Sequence, residues 1–417
     1  MNARQTAYRQ ALDFAERQVE NLITRYPDYF PMYTVQGRWQ HEGEAWTHWT
    51  DGFLGGMMWQ FVLRHRTEAQ AADGQGVAGG ASDRARQRAD EWQARAEHYS
   101  RLLAPRQFDR NVHDLGFIFL STYLPWYELS GDPSLRQVLV QAGQTLALRF
   151  RPQGRYLHSF IGPQSLFIDI MMNVPLIFYA ALESNDPHLA RIATAHCRTT
   201  RQTLVRPDGS TAHEGIFDLQ TGQFLRQDTH QGLAPDSAWA RGLAWSLYGY
   251  SKCYALTGQA EFLDVAEQNA AYWIAHLPED GVPYWDFHAD PHQPPPWGAQ
   301  KESSAAAIAA SGLLDLARQT ASPDARARYE QTALKMLDAL VTPQYLAIDT
   351  PGWEGILKHG VYHTRKNLGV DESVMWGEYF FVEALTKVVA DQFHRLKPSV
   401  LVANRQRYEA LVQGQPS

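Results

Sequence analysis

Cysteine is almost absent from this chain: Cys197 and Cys253 are the only two in 417 residues. They stand in separate helical segments without metal-ligand spacing, which excludes a disulfide-stapled secreted domain and a thiolate metal site. Two free buried thiols in a reducing cytoplasm are the expectation. Charge is modest, with 20% charged residues, a net charge of −7 and no Lys/Arg-rich run. Nucleic acid is therefore excluded as a partner. No uninterrupted apolar run reaches the length of a membrane span. The opening stretch, MNARQTAYRQALDFAERQVENLI, is amphipathic and lacks the apolar core of a signal peptide. No dinucleotide-binding or P-loop glycine pattern occurs, so no nucleotide cofactor is implied, and sustained two-residue alternation is missing, so no large sheet is expected. The sequence leaves the oligomeric state open between monomer and homodimer.

Aromatic residues, by contrast, are plentiful: 13 Trp, 19 Tyr and 18 Phe. Flat apolar rings stack on the C–H faces of sugars, so this content points to a lined pocket, although large cores also use aromatics. Amphipathic helices recur, joined by short polar turns. They are predicted near 5–25, 52–66, 83–104, 115–130, 133–149, 169–183, 187–204, 237–257, 260–276, 303–319, 324–341 and 373–390. The turns ELSGDPSLRQ, LESNDPHLAR, ALTGQAEFLD and RQTASPDARA share one logic, a residue that stops one helix and a cap or proline that starts the next. This internal repeat of helical hairpins predicts an all-α (α/α)6 barrel spanning residues 1–417 as a single domain. The Gly/Ala-rich stretch 67–82 is read as a flexible surface insertion, and a short strand pair is expected within 209–225. The odd residues collect in the long connections, which in a closed ring line one face of a central cavity.

Two carboxylates stand out. Asp169 heads FIDIMMNVPLIF and Asp114 heads DLGFIFLSTYL, each at the mouth of an apolar run. A buried ionised carboxylate is costly unless paired, or unless its pKa rises until it becomes neutral, and a raised acid is what a proton donor needs. Asp169 is expected to be that raised acid. The bland alternative is that each Asp is a solvent-facing helix N-cap. Arg241 and Trp245, four apart on one helix face, could hold a sugar carboxylate with the ring stacked alongside, or could simply be an Arg stem over a core Trp. His213, His230 and Gln231 could add neutral hydrogen bonds. His359 and His363 have metal-ligand spacing but lie in a Gly-containing loop, which argues against a metal; none is implied.

Taken in order, WTDGFLGG (49–56), HDLGF (113–117), D-x-MMN (169–173), DTHQG (228–232), SxWARGxAW (237–245) and DESVMWGEYFF (371–381) resemble the unsaturated glucuronyl hydrolases, glycoside hydrolase family 88. The resemblance implies the same (α/α)6 barrel and an unsaturated uronate-containing di- or oligosaccharide as substrate. It implies Asp169 as the acid and base and Asp114 as the second functional carboxylate. It places Trp49 and Phe53 along the sugar site, with His113 and Asn173 as substrate-binding neighbours. His213, Thr229, Gln231, Arg241, Trp245 and Ser251 would surround the uronate. The S-x-x-S-x-K pattern of members that prefer sulfated fragments is replaced here by KHGVYHTRKN, 358–367. The competing readings are an unsaturated galacturonyl or rhamnogalacturonyl hydrolase on a related barrel, a sugar 2-epimerase, which would need paired histidines, and a non-catalytic glycan-binding toroid.

Overall fold

A computed structural model describes residues 3–40, 47–74, 80–290, 292–293, 298, 300–390 and 398–413. Outer and inner helices alternate along the chain. The order is α1 (Ala3–Arg25), α2 (Asp51–Gly74), α3 (Gly80–Leu102), α4 (Leu115–Phe119), α5 (Tyr123–Ser130), α6 (Pro133–Ala147), α7 (Pro175–Ser184), α8 (Pro187–Leu204), α9 (Ala240–Thr257), α10 (Ala260–His276), α11 (Ser303–Gln319), α12 (Pro323–Leu340) and α13 (Met375–Val389). The inner elements α2, α4–α5, α7, α9, α11 and α13 pack side by side and close a ring, while α1, α3, α6, α8, α10 and α12 lie outside it. The expected (α/α)6 barrel is thus the fold.

Turn chemistry explains the hairpins. Gly131, Asn185 and Gly258 end their helices in the left-handed conformation. Asp132, Asp186 and Ser322 then cap the following helices through their side chains, each with proline in the first turn. Inner helices are buried on nearly every face. In α11 a run from Ser303 to Leu314 is inaccessible, and its alanines let neighbouring helices approach closely.

Several elements differ from expectation. The 115–130 helix breaks between α4 and α5, because Pro125 has no N–H and its ring excludes the carbonyl four residues back. In the turn between them the hydroxyls of Ser121 and Thr122 bond back to the carbonyls of Phe117 and Ile118. Pro175 acts likewise, splitting 169–183 into a 3₁₀ turn, Ile168–Met172, and α7. The stretch 67–82, read as a loop, is helical to Gly74 and again from Gly80, since its Ala, Glu and Gln favour helix. Ser82 is buried there and its hydroxyl donates to Asp73 at 2.7 Å. Residues 75–79 of that stretch, residues 41–46 and part of the 283–298 connection lie outside the described residues. A further helix, α14 (Pro398–Gln413), has no counterpart in the sequence reading and packs on α9, α8 and α7.

The strands are short. β1 (Phe150–Arg151) pairs with β2 (Tyr156–Leu157). β3 (Ser165–Phe167), β4 (Glu214–Phe217) and β5 (Phe224–Asp228) form an antiparallel sheet in that order. β4 and β5 are the pair expected within 209–225, shifted a few residues onward. β6 (Gly360–His363) and β7 (Leu368–Glu372) form a hairpin in a region read as loop.

Candidate active site

The inner helices start at one mouth of the barrel, and the chemistry-bearing residues sit at those starts. Asp114 is the residue before α4. It holds the N-cap position, but its side chain makes no capping bond. Instead it is 4% exposed, accepts a long bond from Thr47 Oγ1 at 3.4 Å and lies 3.3 Å from His113 Nε2. Asp169 sits in the 3₁₀ turn after β3. Pairing of β3 with β4, and the bond from Ile168 N to His213 O at 3.0 Å, bring His213 beside it. His213 Nε2 is 3.3 Å from Asp169 Oδ2 but off the line of a hydrogen bond, so both atoms are buried without one.

The two histidines are held in the same way. His113 Nδ1 accepts from Phe160 N at 3.1 Å. His213 Nδ1 accepts from the N–H groups of His230 and Gln231 at 3.0 and 3.1 Å. A ring nitrogen that accepts backbone N–H groups carries no proton, so each imidazole presents Nε2–H to its carboxylate.

The two carboxylates differ in charge preference. Burial, followed by the negative charge of Asp169, pushes Asp114 up to about 7. Burial pushes Asp169 upward too, but His213 beside it, with His113 and the Arg241 guanidinium nearby, outweighs that and leaves it below its ordinary value. The expectation that Asp169 is the raised acid is therefore corrected: of the two carboxylates Asp114 is the one held up, and Asp169 the one held down. The cause is proximity to three nitrogen-bearing groups, all of them remote in sequence. Burial also pulls His113 down to about 3, so it stays neutral.

Around the pair lies a cavity of about 40 Å³. Trp49, Phe117 and Tyr362 line one side, with the Trp49 ring 4.8 Å from that of Trp376 behind it. Phe160 and Phe167 line another, Phe160 stacking on His113 at 5.7 Å. Gln231, His230 and Arg241 complete it. Arg241 is 1% exposed and held between Trp239 and Trp376, at 4.5 and 4.9 Å. Its Nη1 donates to Glu302 Oε2 at 3.1 Å and to Val361 O, and its Nη2 to Tyr362 O at 2.9 Å. A guanidinium has five N–H donors, so some remain for an anion in the cavity.

Other residues named from sequence are placed elsewhere. Phe53 stands behind Trp49, stacked on Tyr379 at 5.1 Å. Asn173 is fully buried; its Oδ1 accepts from Phe117 N at 2.9 Å and its Nδ2 donates to Asp169 O at 3.2 Å, so it ties the two acid-bearing turns together. Thr229 accepts from Gly232 N at 2.7 Å and shapes the loop that holds His213. Trp245 is fully buried against Phe117 and Phe380. Ser251 is also fully buried and donates to Gln319 Oε1 at 3.0 Å, so neither it nor Trp245 reaches the cavity. His359 pairs with Asp371, and the His363 ring packs against that of His230 at 5.5 Å. Among the described residues no cluster of three His, Cys, Asp or Glu side chains has metal-binding geometry. Thr47, Phe117, Phe160, Phe167 and Tyr362 carried no chemical signal of their own in the sequence; the aromatic richness of the connections was the one available cue.

Residues 15–385 match Glycosyl Hydrolase Family 88. An unsaturated glucuronyl hydrolase of Bacillus sp. (strain GL1) is 31% identical over 350 residues, covering 82% of this chain and 86% of the relative. An unsaturated chondroitin disaccharide hydrolase of Streptococcus pyogenes serotype M1 is 29% identical over 390 residues, covering 92% and 91%. The crystal structure of an unsaturated glucuronyl hydrolase specific for heparin superposes with a TM-score of 0.79 at 29% identity, covering 94% of this chain and 99% of the other. These matches favour the glucuronyl hydrolase reading over the galacturonyl and epimerase alternatives. With two carboxylates at one cavity and a family match across most of its length, this chain belongs to glycosyl hydrolase family 88 and is a glycoside hydrolase of the unsaturated glucuronyl hydrolase type.

Proposed function

We propose that the protein releases a 4,5-unsaturated glucuronic acid from the non-reducing end of lyase-generated oligosaccharides by hydrating its C-4=C-5 bond. The observation that carries this reading is the pair of buried carboxylates at one cavity, each faced by an Nε2–H, with Asp114 held up to about 7 and Asp169 held below its ordinary value. In the free site Asp114 holds the proton. A substrate carboxylate near Arg241 and His213 offsets the groups that keep Asp169 ionised, so Asp169 takes the proton as the substrate settles. Asp169 then delivers it to C-4, and positive charge develops at C-5 and the ring oxygen. Asp114, now ionised, stabilises that charge. Water adds at C-5 and gives its proton to Asp169. The resulting hemiketal opens to a ketone, freeing C-1 to collapse to an aldehyde and release the neighbouring sugar. Because attack occurs at C-5, the carboxylate-spacing rule for inverting and retaining glycosidases does not apply.

His113 and Gln231 are assigned to the uronate hydroxyls, and Trp49 to the ring face. The related enzymes carry names that point to chondroitin disaccharides and heparin, and the basic pair Arg365 and Lys366 stands in the β6–β7 hairpin. The neighbouring sugar in this proposal is that of a glycosaminoglycan fragment. A single catalytic barrel in the cytoplasm is part of the same reading, supported by two thiols that remain free with their sulfurs 3.9 Å apart. No helix among the described residues is long and apolar enough to cross a membrane.

Loss of ultraviolet absorbance on unsaturated chondroitin, hyaluronan, heparin and pectin disaccharides tests the proposal, because hydration removes the conjugated double bond. The parent should bleach the glucuronyl substrates, while Asp169→Asn should bind them and leave the signal intact. Bleaching of the pectin fragment alone would sink the reading.

A further inference from the structure

One buried cation near the acids has only neutral partners. Arg149 stands between α6 and β1 and is 5% exposed. Its Nε donates to His158 O at 2.8 Å, its Nη1 to Arg110 O at 2.6 Å and its Nη2 to Ser159 O at 2.7 Å. All three acceptors are backbone carbonyls rather than carboxylates. Asp114 and Asp109 reach this guanidinium only through longer-range attraction, while burial works against its charge. A charge held in the interior without a direct partner is costly.

The three carbonyls belong to two segments that meet at the acids. Arg110 leads through Asn111 and Val112 into His113 and Asp114. His158 and Ser159 lead into Phe160, whose N–H is the one that His113 Nδ1 accepts. Arg149 therefore fixes one segment against the other, and with them the tautomer that turns Nε2–H toward Asp114. Its charge has an equally specific destination. Asp109 is already held by Arg106 Nε at 3.1 Å, and Arg106 also donates to Asp51 at 3.0 Å. Arg241, the guanidinium in the cavity wall, is bound to Glu302. Asp114 has no such cation in contact; the Thr47 hydroxyl, the neutral His113 and the like-charged Asp169 face it. Burial and Asp169 raise Asp114, and Arg149 is the foremost charge opposing them, ahead of the Thr47 hydroxyl and Arg106. After burial, Arg149 also does most to keep His113 neutral.

We propose that Arg149 is a positioning residue for the reaction: it locks His113 against Asp114 through the 158–160 segment, and its unspent charge favours the ionised Asp114 that steadies the positive charge forming on the sugar. The inference rests on the hydration reading above, in which Asp114 ionises as Asp169 takes the proton. Arg149 does not line the cavity, so it acts through these neighbours and not on the substrate.

Two variants separate charge from position. Arg149→Gln removes the charge, and Arg149→Lys keeps it while losing the planar set of donors. Carbon-13 NMR of the Asp114 carboxyl in the free full chain, assigned with Asp114→Asn, reads its titration midpoint; the absorbance assay reads the alkaline limb of kcat/KM. Arg149→Gln should move both upward by at least roughly half a pH unit, less than the roughly 1–3 units of a cation in direct contact. Arg149→Lys should return both to the parental position, with kcat still roughly tenfold down at unchanged KM. An unmoved Asp114 midpoint in Arg149→Gln, or parental kcat in Arg149→Lys, would overturn the assignment. If Arg149→Gln does not fold, Arg149→Lys decides alone: lowered kcat with an unmoved midpoint supports the assignment, and a displaced midpoint overturns it. A midpoint that shifts in Arg149→Gln although the parent bleaches no unsaturated disaccharide would sink the hydration reading and leave the hold of Arg149 on Asp114 standing.

Discussion

Replacing Gly116 with alanine should separate the two acids. Gly116 lies in α4, two residues after Asp114, and packs against the turn that carries Asp169. A Cβ added there would stand 2.4 Å from Asn173 Cα and 2.8 Å from Asn173 O. Both contacts are backbone, so no side-chain rotation relieves them. Ordinary carbon contacts begin near 3.4 Å, so α4 and the Asp169 turn must part by about 1 Å. Overpacking of this kind costs roughly 1–3 kcal/mol of stability. A displacement of that size at a reacting centre costs about a hundredfold in rate, or about 2.7 kcal/mol of transition-state stabilisation. The assay is kcat/KM from the loss of absorbance of an unsaturated chondroitin disaccharide, with chemical denaturation on the same samples. Gly74→Ala is the control, because a Cβ there meets nothing within 4 Å. Gly116→Ala with parental kcat/KM would refute the view that this contact sets the spacing of the acids.

The pH profile should follow the single proton of the pair. Asp114, raised to about 7, is protonated below that value and ionised above it, so kcat/KM should fall about tenfold for each pH unit beyond 7. An acid limb should appear only below the ordinary carboxylate range, where Asp169 also protonates; a rate that rises through pH 7 would contradict the assignment. Glu302→Gln should destabilise the fold by roughly 3–5 kcal/mol in chemical denaturation, because it leaves the buried Arg241 without its charge partner. A change below about 1 kcal/mol would show that the carbonyls of Val361 and Tyr362 suffice.

How much of this was legible in the sequence follows the range of the interactions. The hairpins were readable because each is punctuated locally: Gly131 with Asp132, Asn185 with Asp186, and Ser322 with its proline supply stop and start signals within a few residues. The two aspartates were readable because each interrupts an apolar run. The direction of the Asp169 shift was not, because it depends on His213, delivered by strand pairing, and on Arg241, delivered from α9. Depth along a helix was also invisible. Residues four apart share a face, yet they differ by about 6 Å in height, at 1.5 Å per residue. Arg241 in the first turn of α9 therefore reaches the cavity, Trp245 lies one turn below, and Ser251 lies about 15 Å down, where it holds Gln319.

Asn173 gives the barrel a division of labour. One amide joins the backbone of both acid-bearing turns, so the reacting groups move as one piece fixed to the starts of the inner helices. Phe160, His230 and Tyr362 come instead from connections outside that piece. Changing the side chains of those connections alters what lies next to the uronate, while their backbone groups go on holding His113, His213 and Arg241 in place. A scaffold divided in this way can drift among neighbouring sugars while its proton chemistry stays constant.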